Sequence, residues 1–378
     1  MRFRRDKKSW GLVGCAAVMF GLTLAIACSS AFEDDFDRNQ MLSDLATTVI
    51  VPVYSEFEVS SRGLLTATQA LCAAPTPTSL DTVQQAWRDA RDPWKRSEAF
   101  GFGPVKELRI RSAVDWWPID EAQLQAVLTD TPEITEQYVA DQGSGARGFM
   151  ALEYLLFDPE GGDEAVLTAL NSGETAARRC SYVVAVADYL ETKGLELANA
   201  WRTTGGNYAW ELATAGQGST VYTSSQAAIN DLVNYLIFSV EEVADVRLGE
   251  PLGKASGGTP QPELVEGARS DNALEDISDT LLGVQSLYLG SHGGQQGVGL
   301  SDLVRSRKET IDERLRGELQ DALAAIQAIP GPLEAAVTTD PAPVELAYER
   351  VKALQASLSA DVAALLGVTL TFNDNDGD

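Results

Sequence analysis

Apolar side chains recur at three- and four-residue steps along several stretches of this chain, the spacing that lays one stripe down an α-helix. Cys180, Val183, Val184, Ala187, Leu190, Leu197 and Trp201 form one such stripe. Val304, Ile311, Leu315, Leu319, Leu323, Ile326 and Ile329 form a second, which stops at Pro330 because proline cannot continue the helical ladder. A third holds Val344, Ala347, Tyr348, Val351, Leu354, Leu358, Val362 and Leu365 and closes at Gly367. Leu42, Leu45, Val49 and Val53 open a further long helix that Pro52 is expected to kink. Val368 to Phe372 is the one clean β-rich run, and a single strand makes no sheet. Narrow stripes on long helices are buried by packing against one another, so the pattern predicts an all-α, helical-bundle protein.

Gly and Thr interrupt the helical pattern between Thr203 and Gly218, which places a boundary there and predicts bundles over residues 38–205 and 206–378. A second loop, Gly253 to Pro262, is rich in Gly and Pro and is expected to be exposed. The first residues follow different rules. Arg2, Arg4, Arg5, Lys7 and Lys8 precede an uncharged stretch from Trp10 to Ala27, which ends in Ala25-Ile26-Ala27-Cys28. Basic residues, a short apolar run and small residues before a Cys predict a bacterial secretory signal over residues 1–27, with Cys28 as the lipidated N-terminus. An uncleaved anchor is the alternative, since about 18 apolar residues is the lower limit for a spanning helix. Both readings put the globular part outside the cytoplasm, anchored to a membrane and facing the periplasm; the outer membrane is the expected host. Residues 28–37, with Glu33, Asp34, Asp35 and Asp37, read as an acidic tether.

Composition narrows the chemistry. The chain carries 29 Lys plus Arg against 55 Asp plus Glu, a formal charge of −26. Loss of the signal removes five basic residues and Asp6, leaving −30. Nucleic acid is excluded as a partner, because phosphate capture needs a basic footprint. Adsorption to anionic lipid is excluded by the same charge, so anchoring rests on the acyl chains. His292 is the only histidine, which rules out a two-histidine zinc site, and Leu289 stands where a Glu-x-x-His di-iron motif needs its Glu. His292 lies in a Gly-rich stretch that suits a surface turn more than a rigid catalytic base. Cys72 and Cys180 remain after the signal and the lipidated Cys28, and an oxidising compartment predicts a disulfide between them, against the alternative of two buried thiols.

The stretch Arg147-Gly148-Phe149-Met150-Ala151-Leu152-Glu153-Tyr154-Leu155-Leu156 reads as the opening of an apolar helix, with Met150 and Glu153 on one face. A carboxylate in such company is costly unless a partner or a metal compensates it. Trp116-Trp117-Pro118 is hard to bury whole and is a candidate pocket mouth, whereas Trp87 and Trp94 read as core. The terminal Asp374-Asn375-Asp376-Gly377-Asp378 has a calcium-loop flavour without the bidentate Glu such loops need.

Seven segments in order resemble the imelysin-like family, first described as insulin-cleaving membrane proteases. They are Val51-Pro52-Val53-Tyr54, Ala99 to Pro104, Trp117-Pro118, the Gly148 helix, Arg178-Arg179-Cys180, Leu248 to Gly253, and the acidic end from Phe372. The family helix begins Gly-x-His-x-x-Glu and continues Glu-Tyr-Leu-Leu; Gly148 and Glu153 to Leu156 match, and Met150 replaces the histidine. The resemblance implies two helical bundles packed face to face, the motif helix in their shared cleft, an envelope location and a link to iron acquisition. It carries Gly148, Met150, Glu153, Arg147 and Trp117 forward as binding candidates, with Glu153 as the candidate metal ligand and iron or another metal as candidate cofactor. A thioether cannot act as a general base. The expectation is therefore a non-catalytic lipoprotein that binds a small ligand or an iron-uptake component, with a metal-dependent peptidase as the alternative and an adhesive or structural module as a third reading. Glu153 is expected to be a structural ion-pair partner of Arg147 or Arg111, or else a residual ligand-binding group.

Overall fold

The computed structural model describes residues 35–371. The expectations for the signal, for Cys28, for most of the tether and for the terminal acidic run lie outside these residues. From Arg38 onward the chain forms one compact unit. It is all-α: the only strands among the described residues are Ser291–His292 and Gln295–Gln296. No described helix is long and apolar enough to cross a membrane.

The first long helix runs on from Arg38–Asp44 through a π-helical turn, Leu45–Ile50, into α1 (Val51–Ala73). The predicted kink at Pro52 is instead this widened turn just before it; proline brings no N–H to the ladder, and a π-turn accommodates the lost bond. Next comes α2 (Pro77–Ser97), started by a Thr76–Ser79 capping box with Pro77 at its first position. The motif helix α3 (Gly148–Leu156) and the long α4 (Ala176–Trp201) complete this group. α1 lies between α2 and α4, and α3 packs on both of them. Cys72 near the end of α1 is bonded to Cys180 in the first turns of α4, with Cα atoms 5.4 Å apart.

Beyond the exposed turns at 203–207 come α5 (Ser225–Glu241), a π-helical stretch Glu242–Gly249, and α6 (Ala273–Leu289). α7 (Glu309–Gln327) and α8 (Pro341–Ala356) pair with each other at the end of the chain. The second apolar stripe is not one helix: Leu300–Arg307 ends at Lys308, whose backbone is extended, before α7 begins. The stripe steps seven residues from Val304 to Ile311, two helical turns that keep the phase, and the break lies inside that charged gap. Val368 to Thr371 does not form a strand. His292 sits instead on a small hairpin whose turn, Gly293-Gly294, takes the positive φ values that only glycine adopts freely. Its ring is largely covered, and Nε2 lies 2.8 Å from Glu56 Oε1, so the free surface histidine expected from sequence is a partnered one.

The contact that matters for the site is between α2 and α6. A Cβ on Gly283 of α6 would stand 2.0 Å from the Arg96 carbonyl oxygen, so the two helices meet backbone to backbone there. That approach brings the charged side chains of α2 into one buried layer with those of α6.

Candidate functional site

The motif helix begins where no other residue fits. Gly148 has φ +75°, and a Cβ there would lie 2.2 Å from the Val114 carbonyl oxygen. The backbone of the 110–115 segment is thereby pressed against the first turn of α3. Tyr182 and Trp87 fix that turn from two sides, donating to the carbonyl oxygens of Ala146 (2.5 Å) and Phe149 (3.0 Å). Met150 and Glu153 follow, both 2 % exposed.

Glu153 is neither open to solvent nor paired with the arginines that sequence suggested. Its Oε1 accepts from the Ser270 backbone N–H at 3.0 Å and from Ser270 Oγ at 2.7 Å. Burial pushes its carboxyl above the usual range; the Ser270 bonds and the more distant charge of Arg91 pull the other way without prevailing. Arg147 turns elsewhere, donating to the Ala140 carbonyl at 2.5 Å and lying over the Tyr189 ring. Arg111 pairs with Glu242 at 3.2 Å. The ion-pair expectation for Arg147 and Arg111 is thus corrected: both are drawn to nearer acceptors, and a serine from the other end of the chain takes the glutamate. Trp117 is half-buried and joined to Pro118 by a cis peptide, on a loop that Asp120 fastens to the Gly145 carbonyl before α3.

Beside the motif lies a buried ionic cluster. Arg91 is fully covered and binds Asp276 through Nε (3.0 and 2.8 Å), Asp115 through Nη1 (2.9 Å) and Glu266 through Nη2 (2.7 Å). Lys95, one helical turn on, contacts Asp115 at 2.8 Å, Glu266 at 2.7 Å and Glu98 at 3.2 Å. Arg247 reaches in from the π-helical stretch, meeting both oxygens of Glu98 at 2.8 Å and Thr280 Oγ1 at 2.7 Å. Trp94 Nε1 donates to Asp115 at 2.9 Å, and Asn272 Nδ2 to Asp276 at 2.8 Å. Burial alone would raise Glu98, but Arg247 and Lys95 outweigh it and bring the carboxyl down to about 2. Desolvation of ions is repaid only by such dense mutual contact, so each member depends on the others.

Sequence reasoning missed most of this cluster. Trp87, Arg91, Trp94 and Lys95 sit at helical spacing on one face of α2. Two cations on a tryptophan stripe are a legible sign of buried charge. Ser270 and Glu266 carry no such signal, being set in irregular backbone.

The site's chemistry is limited by what surrounds it. Met150 offers a soft, uncharged sulfur, and Glu153 has one oxygen committed to two donors. Among the described residues no group of three or more His, Cys, Asp or Glu is arranged to hold a metal ion. A concavity of about 620 Å³ opens alongside α6, with Asp92, Asp271, Glu275 and Asp279 around an apolar floor that includes Leu274 and Ile329.

The sequence profile of the imelysin family matches residues 50–362. The chain is 29 % identical over 325 residues to iron-regulated protein A of Synechococcus elongatus, covering 85 % of this chain and 83 % of that one. Its fold is similar to the crystal structure of an iron-regulated protein A precursor from Parabacteroides distasonis, with a TM-score of 0.76, 19 % identity, and 90 % and 96 % of the two chains covered. An imelysin-like protein from Psychrobacter arcticus matches at a TM-score of 0.70 and 20 % identity, covering 90 % of this chain and all of that one.

Proposed function

The chain belongs to the imelysin family, and from that premise we propose that it is a non-catalytic, lipid-anchored envelope protein that binds a ligand or partner in iron-linked uptake. One observation carries this reading: the motif glutamate is buried and held by Ser270, and the motif histidine is Met150. General base catalysis needs a group that takes a proton within reach of substrate or water. A thioether does not, and a carboxyl that is covered and held by two Ser270 donors is closed off from substrate and solvent. The iron link is supported by the relative named iron-regulated protein A, and the anchor by the small residues before Cys28.

The test uses the mature protein with residues 28–378. It is expected to leave a peptide library uncleaved with zinc or ferrous iron added, and to carry no stoichiometric transition metal when purified without chelator. Cleavage that disappears in Glu153→Ala would establish the peptidase alternative and overturn the proposal. Labelling of cells with a palmitate analogue, lost in Cys28→Ala, checks the anchor separately.

The closed packing around Glu153 favours a second reading, an adhesive or structural module with no small ligand at this helix. Thermal-shift screening against iron chelates and haem separates the two, since only the first predicts a saturable response.

A further inference from the structure

Three cations converge on one carboxylate that belongs to no regular helix. Glu266 Oε1 lies 2.7 Å from both Arg91 Nη2 and Lys95 Nζ, and its Oε2 lies 3.5 Å from Arg247 Nε. That Nε is buried and makes no hydrogen bond. The other carboxylates of the cluster are fixed in different ways. Asp276 is on α6 and is also held by Asn272; Glu98 follows directly on α2 and is also held by Thr280; Asp115 is also held by Trp94. The carboxylate contacts of Glu266 are to the three cations.

Its backbone is equally distinct. Glu266 stands between two short 3-10 segments, Pro262–Leu264 and Ala268–Ser270, directly after the exposed Gly-rich loop. The chain then turns at Gly267 (φ +75°) and Asp271 (φ +56°), the latter a non-glycine residue in the left-handed region, before entering α6. One short segment thus inserts an anion among three cations and, four residues later, Ser270 onto Glu153.

We propose that Arg91, Lys95 and Arg247 form a binding site for a small carboxylate anion, and that Glu266 is its tethered occupant, displaced when residues 262–272 lift. Charge sets the ligand class. Without Glu266 the three cations are balanced by Glu98, Asp115 and Asp276, so the site takes a carboxylate in place of a carboxylate and leaves a dianionic phosphate or sulfate uncompensated. The donors are one nitrogen from each of three side chains. On Glu266 one carboxylate oxygen receives two donors, Arg91 Nη2 and Lys95 Nζ, and the other faces Arg247 Nε at 3.5 Å, an ion-pair contact without a hydrogen bond. This assignment goes beyond the proposed function and does not require it: the site would stand even if peptide cleavage were found.

The experiment is titration of the mature protein with acetate, a monoanion, with sodium sulfate at equal ionic strength as the dianion control, followed by calorimetry and by hydrogen exchange of residues 262–272. Wild type is expected to bind acetate weakly with faster exchange in that segment. Glu266→Ala is expected to bind it at least about tenfold more tightly, the segment no longer competing. Glu266→Gln keeps the shape of the side chain without its charge and guards against a folding failure of the alanine variant; it is expected to fall between the two. Adding Lys95→Met to Glu266→Gln is expected to abolish the gain. The proposal is overturned if a folded Glu266 variant binds acetate no better than wild type, if sulfate serves as well, or if acetate binds wild type without changing exchange in 262–272.

Discussion

Asp279 gives the protein a dependence on pH that is unusual in sign. It lies on α6, nearly covered, with Arg96 Nε 2.8 Å from one oxygen and the Asp92 carboxyl of α2 in hydrogen-bonding contact. Burial raises its affinity for a proton most, Arg96 opposes this, and the neighbouring Asp92 raises it again, to about 7. In the unfolded chain the same group loses its proton near the ordinary value of 3.8. Between these two values the folded protein holds a proton that the unfolded chain has released, so raising the pH favours unfolding. The contribution is complete below the lower value and gone above the upper one.

Each unit of difference corresponds to about 1.4 kcal/mol, which makes the whole window about 4 kcal/mol, more than half of it falling between about pH 5 and about pH 7.5. Urea denaturation of wild type over that range, at constant ionic strength, is expected to show stability falling as pH rises. Asp279→Asn keeps a donor for Asp92 without a titrating proton, and is expected to flatten the curve by that amount. Below about pH 4.5 the sign reverses, because Glu98 is held down near 2 by Arg247 and Lys95, and its contribution is lost as acid protonates it. A profile for Asp279→Asn that parallels wild type from pH 5 to 7.5 would refute the reasoning.

Gly148→Ala places a side chain on a left-handed residue and drives its Cβ into the Val114 carbonyl, so a loss of at least about 3 kcal/mol is expected from denaturant melts; a change below about 0.5 kcal/mol would show that the 110–115 segment yields freely. The Cys72–Cys180 bond closes a loop of 108 residues, and Cys72→Ser with Cys180→Ser is expected to cost about 2–4 kcal/mol, alongside a thiol count of zero in the denatured, unreduced mature protein if Cys28 is lipidated on sulfur.

The helices were legible because their apolar stripes are long. Cys180 to Trp201 and Val344 to Val362 are buried largely on the faces that their spacing predicts, whereas past the π-helical stretch Ser357–Val362 it is Leu366 and not Leu365 that is buried. Lys308 was not legible: the helix breaks there through a single extended residue that leaves the apolar phase intact. The motif helix could be placed from Gly148 and Glu153, yet the partner of Glu153 could not. Arg147 and Arg111 were the guesses that local sequence allows, whereas Ser270 lies 117 residues away on a turn whose position depends on where α6 meets α2. A hydroxyl and a backbone N–H in irregular structure leave no periodic trace.

The exchange of histidine for Met150 explains why this distant serine matters. A glutamate flanked on its helix face by an imidazole has a partner three residues away that can share a proton or a metal ion with it. With a thioether in that place, the nearest side chain on the face offers no hydrogen and no charge, and a bare carboxylate there would be prohibitively costly. The fold meets this from outside the helix: two donors from Ser270, the field of Arg91, and a carboxyl that holds its proton more tightly than usual. Glu153 thereby becomes a joint between α3 and the 262–272 segment. Since Glu266 on that same segment sits among Arg91, Lys95 and Arg247, the motif helix and the cationic site are tied through one stretch of backbone. Lifting that stretch would release both together, which couples the state of Glu153 to the occupancy of the cations rather than to any chemistry of its own.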